Sequence, residues 1–452
     1  MRYSIKIKSL WETLPILAIV MRLASSPTAD ASYLVLAFYA LRGPKEVIQS
    51  FFLSWLFTMI NTSIAPTSAF ASIGRYIVML AALLSIFHHR GFNSRKSGLA
   101  KLSLLSWFLV IFIVFHSLVV SPLVDVSILK ALSWLFVTIT LFAAWGGLDM
   151  NMRLEMEDKV FGGLIAIMIV SLPLLLVPSK GYAINSNGFQ GILNHPQAFG
   201  TTMALLEAWL VGRLFVTTKQ SFQEFALLCA CLVLVVLSGA RTAGLAIVIG
   251  VIVSSFIDGG RRFGQMLHSL KTGRKGVVLF FSVSLLLFAF PFYSGTIGSY
   301  LQKGSDSTSA IDLANSSRGD LVSTMTDNIE QNPFLGIGFG IASLPSMRFV
   351  NRDPLLGLPV SASVEKGVMP LAILEELGLI GFLLVLGWFL VLIGQAAKNG
   401  FAKLIVIITV IAINFGESMF FSAGGMGLLM IILVTWAATS KKYGELHEHT
   451  YA

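Results

Sequence analysis

The feature that most constrains this chain is a succession of long apolar stretches that runs from one end of the sequence to the other. Of the 452 residues, 55% are hydrophobic and only 12% are charged, whereas soluble domains carry roughly 25% charged residues. The stretches are continuous rather than alternating between polar and apolar residues, so they predict helices and exclude a membrane β-barrel. The sequence therefore predicts an all-α polytopic membrane protein.

The hydropathy pattern predicts about fourteen apolar helices, of which we expect about 12–14 to cross the membrane. Several are shorter than the roughly 20 residues that cross a bilayer untilted, so the first two or the last two can also be read as one span each. We divide the chain into an N-terminal transmembrane bundle (1–293), a long loop (294–367) and C-terminal transmembrane helices with a short tail (368–452). The predicted spans are 10–24, 31–41, 46–60, 69–87, 102–120, 127–149, 160–177, 199–216, 224–238, 241–257, 277–293, 368–396, 403–420 and 425–439.

Lysine and arginine are distributed unevenly over the predicted loops, and most of them lie in every second loop, beginning with the N-terminal MRYSIKIK. The positive-inside rule places these loops in the cytoplasm, so both termini are predicted to be cytoplasmic. The net charge of +9 then reports orientation and does not indicate nucleic-acid binding. Cys229 and Cys231 point in different directions on a helix and have no neighbouring histidines, so we interpret them as packing residues.

One arginine interrupts an apolar run, LVLVVLSGARTAGLAIVIG, from Leu232 to Gly250. An arginine at the bilayer centre costs roughly 2.5–3.5 kcal/mol, but the turn residues SGART place Arg241 between two spans, at the outer membrane face. It is either an interfacial arginine that reaches the lipid headgroups or a fixed positive charge in a recessed site. We favour the second interpretation because the positive-inside rule puts most arginines on the other side.

Two segments predicted on the outer face are unusual. The first, Pro178–Gly200, is polar, rich in Gly and Asn, and contains Asn194 and His195. The second is the long loop, since loops of that length are uncommon unless they are functional. Within it, the pattern of Ser316–Gln331 predicts an amphipathic helix that ends at Asn332-Pro333. Its apolar face consists of Leu321, Val322, Met325 and Ile329.

The GIGFG sequence that follows this helix has neither the strand nor the soluble βα context of a nucleotide-binding loop, so we interpret it as a re-entrant turn at the membrane surface.

The side chains on the outer face suit the chemistry of a diphosphate, because arginine forks bind phosphate oxygens and a carboxylate or imidazole can take a proton from a hydroxyl. No Cys/His set predicts a metal site. Each of these side chains also has a plain interpretation as a solvated or loop-stabilising residue. The cations are Arg241, Arg318, Arg348, Arg352 and Lys366, and the acids or bases are His195, Asp320, Asp353 and Glu365.

Five stretches resemble, in this order, the O-antigen ligase and O-antigen polymerase superfamily of membrane glycosyltransferases: GILNHPQAFG, LSGARTAGLA, SSRGDL, NPFLGIGFG and EELGLIGFLLVL. The resemblance implies a glycosyltransferase C-type fold and a metal-independent enzyme that uses no cofactor. It also implies a glycan donor on undecaprenyl diphosphate at the periplasmic face of the bacterial inner membrane. Arg241 and Arg318 are then expected to hold the diphosphate. We assign Lys366 to the same group, and secondary substrate contacts to Arg348, Arg352 and Asn194.

One departure from the family pattern bears on the reaction. Ligases usually carry a histidine-asparagine pair in the long loop before the final glutamate-glycine helix, and this chain has Glu365-Lys366 in the corresponding SASVEKGVMPLAILEELG. We therefore favour a polymerase of O-antigen or exopolysaccharide repeat units over a ligase that transfers the glycan to lipid A-core. Glu365 is the first candidate for the catalytic base and His195 the second.

A lipid-linked oligosaccharide transporter is a further interpretation, because ionisable residues inside spans are typical of transporters. The expected partners are the lipid-linked glycan and membrane lipids, without nucleic acid, and the sequence leaves open whether a chain-length regulator binds. The ionisable residues in or near spans are Arg22, Arg75, Lys130, Glu207 and Glu417.

Overall fold

The structure is a computed structural model that describes residues 10–89, 97–182, 188–216, 222–258, 310–352, 357, 359–362 and 366–439. The predicted span 277–293 and the candidate base Glu365 lie outside these residues. The predicted boundary between 293 and 294 also lies outside them, so the division of the chain into three parts stays a prediction.

The described part of the chain is predominantly helical, and each predicted span within it coincides with a helix. This confirms the prediction of an all-α polytopic membrane protein. A short antiparallel hairpin, β1 (Val350–Arg352) and β2 (Pro359–Ala362), lies in the long loop. The helices are α1 (Leu10–Ala24), α2 (Ser26–Ala40), α3 (Pro44–Met59), α4 (Ala71–His88), α5 (Ser97–Val120), α6 (Val124–Gly147), α7 (Met150–Ser171), α8 (Pro196–Val216), α9 (Phe222–Ser238), α10 (Arg241–Ile257), α11 (Ala310–Gln331), α12 (Met369–Asn399), α13 (Phe401–Asn414) and α14 (Gly425–Thr439), with single turns at Leu172–Leu176, Pro178–Gly181 and Pro345–Met347.

Five helices of the described residues are long and apolar enough to cross a membrane: α4, α5, α6, α7 with its 3-10 extension, and α12. Four shorter apolar helices, α9, α10, α13 and α14, accompany them. The expected total of 12–14 crossings stays a prediction.

The core of the bundle is formed by α13 and α14, which are buried on almost every side. A helix that is apolar all round is buried among other helices, and α13 packs against α8 and α10 while α14 packs against α3 and α6. Peripheral helices instead turn large apolar side chains outward, as Leu104, Phe108 and Phe115 of α5 do. Such an apolar exterior suits a lipid environment.

The connections between helices gather at two ends of the bundle. At the first, which we call the loop end, the Asn194 amide donates to the Met59 carbonyl at 2.7 Å, and the Ser127 hydroxyl donates to the Phe339 carbonyl at 2.6 Å. The opposite end, which we call the basic end, holds Arg153, whose guanidinium donates to main-chain carbonyls of Trp145, Gly146 and Thr439. The loop end comprises the connections 60–70, 121–123, 172–182, 188–195, 239–240, 332–352 and 415–424, and the basic end comprises 41–43, 148–149 and 399–400.

Candidate functional site

Helix α12 is broken near its start, at Gly378, whose φ of +63° is non-helical. In a continuous helix the Leu379 amide would donate to the Glu375 carbonyl four residues earlier. Here it donates to the carbonyl of Pro333 at 2.9 Å. The break therefore leaves backbone carbonyls at the start of α12 that must find other donors.

The glycine-rich segment Asn332–Gly340, which we call the glycine loop, supplies those donors. The Ile337 amide donates to the Glu375 carbonyl at 2.8 Å, and the Gly338 amide donates to the Glu376 carbonyl at 3.0 Å. The approach is so close that a Cβ on Gly336 would lie 2.5 Å from the Glu375 carbonyl oxygen. The glycines thus allow contact with a broken helix backbone, and a position of this turn at the membrane surface stays a prediction.

Three charged side chains are buried beneath the glycine loop, and we call them the ion cluster: Lys366, Glu375 and Glu376. The Lys366 amine lies 2.6 Å from Glu375 Oε2 and 3.3 Å from Glu376 Oε1. Lys366 is 2% exposed and Glu375 is 0% exposed. The Gly340 amide donates to Glu376 Oε2 at 2.7 Å, so the cluster fastens the end of the glycine loop to α12.

This arrangement bears on the role predicted for Lys366. Both carboxylates neutralise its amine, and burial keeps it away from solvent. The geometry supports a role in holding the loop, and a direct contact of Lys366 with a diphosphate stays a prediction.

Helix α11 confirms the amphipathic helix predicted over Ser316–Gln331 and begins earlier, at Ala310. Met325 is fully buried on the predicted apolar face. Asn328 joins α11 to the ion cluster, because its amide nitrogen donates to Glu375 Oε1 at 2.7 Å and to the Ser343 carbonyl at 3.1 Å. Arg318 belongs to the same helix, about 15 Å along its axis from Asn328 at 1.5 Å per residue.

Arg241 is the first residue of α10 and lies at the loop end, where it is half-buried. The next residue, Thr242, packs closely against Gly416 of the 415–424 connection, since a Cβ on Gly416 would lie 2.2 Å from Thr242 Cγ2. The structure therefore places Arg241 between two helices, as predicted, and beside this connection.

Asn194 and His195 are exposed at the loop end, just before α8. The Gln197 amide donates to His195 Nδ1 at 3.2 Å, so the imidazole caps the first turn of α8. With Nδ1 accepting a hydrogen bond, the neutral ring carries its proton on Nε2. In this rotamer His195 presents a donor outward, and it must rotate to act as a base.

Arg348 and Arg352 hold the long loop in place. The Arg348 Nε donates to the Ala342 carbonyl at 3.2 Å. Arg352, at the end of β1, forms an ion pair of 2.6 Å with Asp125 at the start of α6. Their predicted contacts with substrate stay predictions.

Glu375, Asn328 and Ser343 are the residues of this assembly that the sequence did not single out. Two adjacent carboxylates within the apolar LAILEELGLIGF are the signal for Glu375, because carboxylates are rarely buried without partners. No group of three His, Cys, Asp or Glu side chains converges within the described ranges, so no metal site is assigned there.

The fold and the loop end together define a polytopic helical membrane protein in which a broken helix, a glycine loop and fixed cations meet at one face. Residues 225–386 match the family model Wzy_C, described as O-antigen ligase. This match confirms the predicted resemblance for residues 225–386 and supports a glycan-processing function of the ligase or polymerase type. The matched segment contains Arg241, the glycine loop and the ion cluster, whereas His195 precedes it. No curated protein matches the chain.

Proposed function

We propose that the chain is a membrane glycosyltransferase that polymerises oligosaccharide repeat units carried on undecaprenyl diphosphate, for O-antigen or exopolysaccharide. The loop end would face the periplasm, with both termini in the cytoplasm and the bundle in the bacterial inner membrane. The observation that carries the proposal is the position of Arg241. It is a half-buried cation at the first turn of a helix inside the family segment, at the end of the bundle opposite the basic connections.

The reaction needs a positive charge where the diphosphate leaves. A hydroxyl of the acceptor sugar attacks the anomeric carbon of the donor glycan, and the bond from that carbon to the phosphate oxygen breaks. The departing undecaprenyl diphosphate takes the electron pair, and a base takes the hydroxyl proton. Arg241 and Arg318 stabilise the charge that develops on the leaving oxygen.

The base is Glu365 or His195. Glu365 directly precedes Lys366 of the ion cluster in the sequence, and it lies outside the described residues. His195 is exposed at the same end of the bundle, with Nδ1 engaged by the Gln197 amide. We keep Glu365 as the first candidate because the segment before α12 is where ligases of the family carry their histidine.

The description of the matching family favours a ligase as the second candidate function, with lipid A-core as the acceptor. The sequence between the glycine loop and α12 contains no histidine, which supports the polymerase.

The test uses purified chain in liposomes with a repeat unit on undecaprenyl diphosphate, a chelator and no nucleotide, and the products are resolved on a glycan gel. A ladder of multiples is the expected result. A product that forms only after lipid A-core is added would replace the polymerase with the ligase. Absence of any transfer, with translocation of the labelled repeat across the liposome membrane, would identify a transporter. Arg241→Ala should remove the ladder, while Arg42→Ala at the basic end serves as the matched control.

A further inference from the structure

A cavity of about 380 Å³ lies at the loop end among α3, α4, α6 and α14. The glycine loop contributes Gly340 to its wall, the hairpin contributes Pro359, and the 415–424 connection contributes Ser418 and Ser422. Its volume falls within the range of small-ligand sites, roughly 300–1,000 Å³. The function proposed above places none of its substrate groups here.

Two cations line this cavity: Arg75 of α4 and Lys130 of α6. The Nε of Arg75 is buried and has no hydrogen-bond partner in the described part of the chain. The Lys130 amine lies 4.8 Å above the centre of the Phe339 ring. Among the residues with described side chains, neither cation forms an ion pair with a carboxylate.

The neighbouring carboxylates form their ion pairs with Lys366, and Glu376 attracts Lys130 only from a greater distance. Gly340 separates the cavity from the ion cluster: its amide donates to Glu376, and a Cβ at its position would lie 2.7 Å from Lys130 Cδ. Glu375 and Glu376 both pair with Lys366. Two like charges that line one cavity repel each other, and an anion bound between them removes that repulsion.

The hydroxyls of the wall complete a site for phosphate oxygens. Ser418 and Ser422 come from the 415–424 connection, on the side of the cavity opposite α6. Ser133 of α6 lies one turn from Lys130, but its hydroxyl already donates to the Leu129 carbonyl at 2.6 Å. An arginine fork, an ammonium group and several hydroxyls are donors suited to phosphate oxygens. A carboxylate would use fewer of these donors than a diphosphate.

The 415–424 connection links this cavity to Arg241. Its residue Gly416 packs against Thr242, next to Arg241, while Ser418 and Gly424 line the cavity. The cavity cations and the cation assigned to the leaving diphosphate therefore lie on two sides of one connection.

Polymerisation joins two lipid-linked substrates, and only one diphosphate leaves, whereas the acceptor keeps its own. We propose that the Arg75–Lys130 cavity binds the diphosphate of the lipid-linked acceptor, while Arg241 and Arg318 bind that of the donor. This inference rests on the proposed function, because a ligase would need only one site for a polyprenyl diphosphate. It also gives α4 and α6, which precede the matched family segment, a part in substrate binding.

The first test counts binding sites without catalysis. Farnesyl diphosphate is titrated into the full-length chain in detergent by calorimetry, with inorganic diphosphate and farnesol as separate arms. We expect two sites for farnesyl diphosphate, and one site in the double variant Arg75→Gln/Lys130→Gln. The control Lys159→Gln, which removes an exposed cation of α7 paired with Glu155, should keep two. Two sites retained in the double variant would overturn the proposal. Strong binding of inorganic diphosphate alone would show a free-anion site and overturn the lipid assignment.

A second variant moves the guanidinium without removing it. A Cβ on Gly424 would lie 1.8 Å from Arg75 Nη1, so Gly424→Ala displaces the end of this flexible side chain. We expect binding at the cavity site to weaken about tenfold or more, the loss typical of a charge-assisted hydrogen bond. Gly387→Ala, where an added Cβ meets nothing within 4 Å, should bind like the unchanged chain. Equal affinity in Gly424→Ala and Gly387→Ala would contradict the role of Arg75.

Failure of this inference and failure of the proposed function are distinguishable. One outcome is that the chain polymerises repeats and the acceptor concentration for half-maximal rate is the same in the double variant as in the unchanged chain. The cavity assignment would then be wrong and the proposed function would stand. A second outcome is that no polymer forms, while the unchanged chain binds farnesyl diphosphate at two sites and the double variant at one. The cavity would then be a lipid diphosphate site in a protein of another function, and its assignment to an acceptor would be overturned.

Discussion

Replacement of Lys366 by methionine is expected to destabilise the protein strongly. Lys366 is the only described cation within ion-pair distance of Glu375 and Glu376, at 2.6 Å and 3.3 Å, and Glu375 is fully buried. Methionine fills a similar volume but leaves two buried carboxylates without their ion-pair partner. Removing one partner from a buried ion pair costs about 3–5 kcal/mol. The control is Lys159→Met, which breaks an exposed ion pair of 2.7 Å with Glu155. It should lower the free energy of unfolding by less than about 1 kcal/mol.

The assay is denaturant unfolding in detergent followed by tryptophan fluorescence, with the free energy of unfolding compared between variants. Glu375→Gln alone should cost less than Lys366→Met, because Glu376 still pairs with the amine. The double variant Lys366→Met/Glu375→Gln should recover much of the loss, since one of the two uncompensated charges is then gone. Asn328 and Ser343 can still hydrogen-bond to the glutamine.

Polymerisation measured on the same variants separates the two roles of Lys366. If the amine only holds the glycine loop, the double variant regains activity together with stability. If the amine binds the diphosphate, the double variant is stable and stays inactive at low donor concentration. An unfolding free energy of Lys366→Met within about 0.5 kcal/mol of the unchanged chain would refute the argument from the ion cluster.

Three further predictions concern other parts of the loop end. Gly378→Ala should lower the free energy of unfolding by about 1–3 kcal/mol or more, because φ at this position is +63° and an added Cβ would meet a backbone carbonyl. The control Gly387→Ala should leave the free energy of unfolding unchanged in the same measurement. Arg241→Ala and Arg318→Ala should each abolish polymerisation while the protein still inserts and elutes normally, and a wild-type glycan ladder from either would remove the diphosphate clamp. Arg348→Ala should keep most of the activity, since among the described residues its side chain hydrogen-bonds only to the Ala342 carbonyl. Complete loss of activity would show that the clamp was assigned to the wrong arginines.

The helices could be predicted from the sequence because each is a continuous apolar run. The errors lie at helix ends, where a helix begins in a polar segment or stops before the apolar run does. Helix α2 was predicted from residue 31 but begins at Ser26, where Ser25 and Thr28 form a capping box. The span predicted to residue 420 ends at Asn414 instead. Asn414 Oδ1 accepts the amides of Met419 and Phe420, which folds an apolar segment into a turn.

The site could be predicted only in part, because its defining contacts join residues far apart in the sequence. The sequence indicated the glycine loop and the glutamate-glycine segment as separate motifs, and Arg241 as a cation at a turn. It did not indicate that the amides of the glycine loop donate to the backbone carbonyls of the glutamate-glycine segment, since Gly378 lies within an apparently continuous apolar helix. Nor did it indicate that Lys366 is buried against Glu375, or that Asn328 binds the same carboxylate from α11.

The break in α12 explains why these motifs occur together. Without the glycine loop, the carbonyls of Glu375 and Glu376 would lose the Ile337 and Gly338 amides as donors, and without the break those amides would lose these acceptors. The same loop is fixed to α6 by the Ser127 hydroxyl, three residues before Lys130, and α12 is joined to α11 by the Asn328–Glu375 hydrogen bond. One backbone unit therefore connects the helix that carries Arg318 with the wall of the Arg75–Lys130 cavity. Such a unit sets the separation between the two proposed diphosphate sites, which a polymerase must hold constant for each sugar transfer.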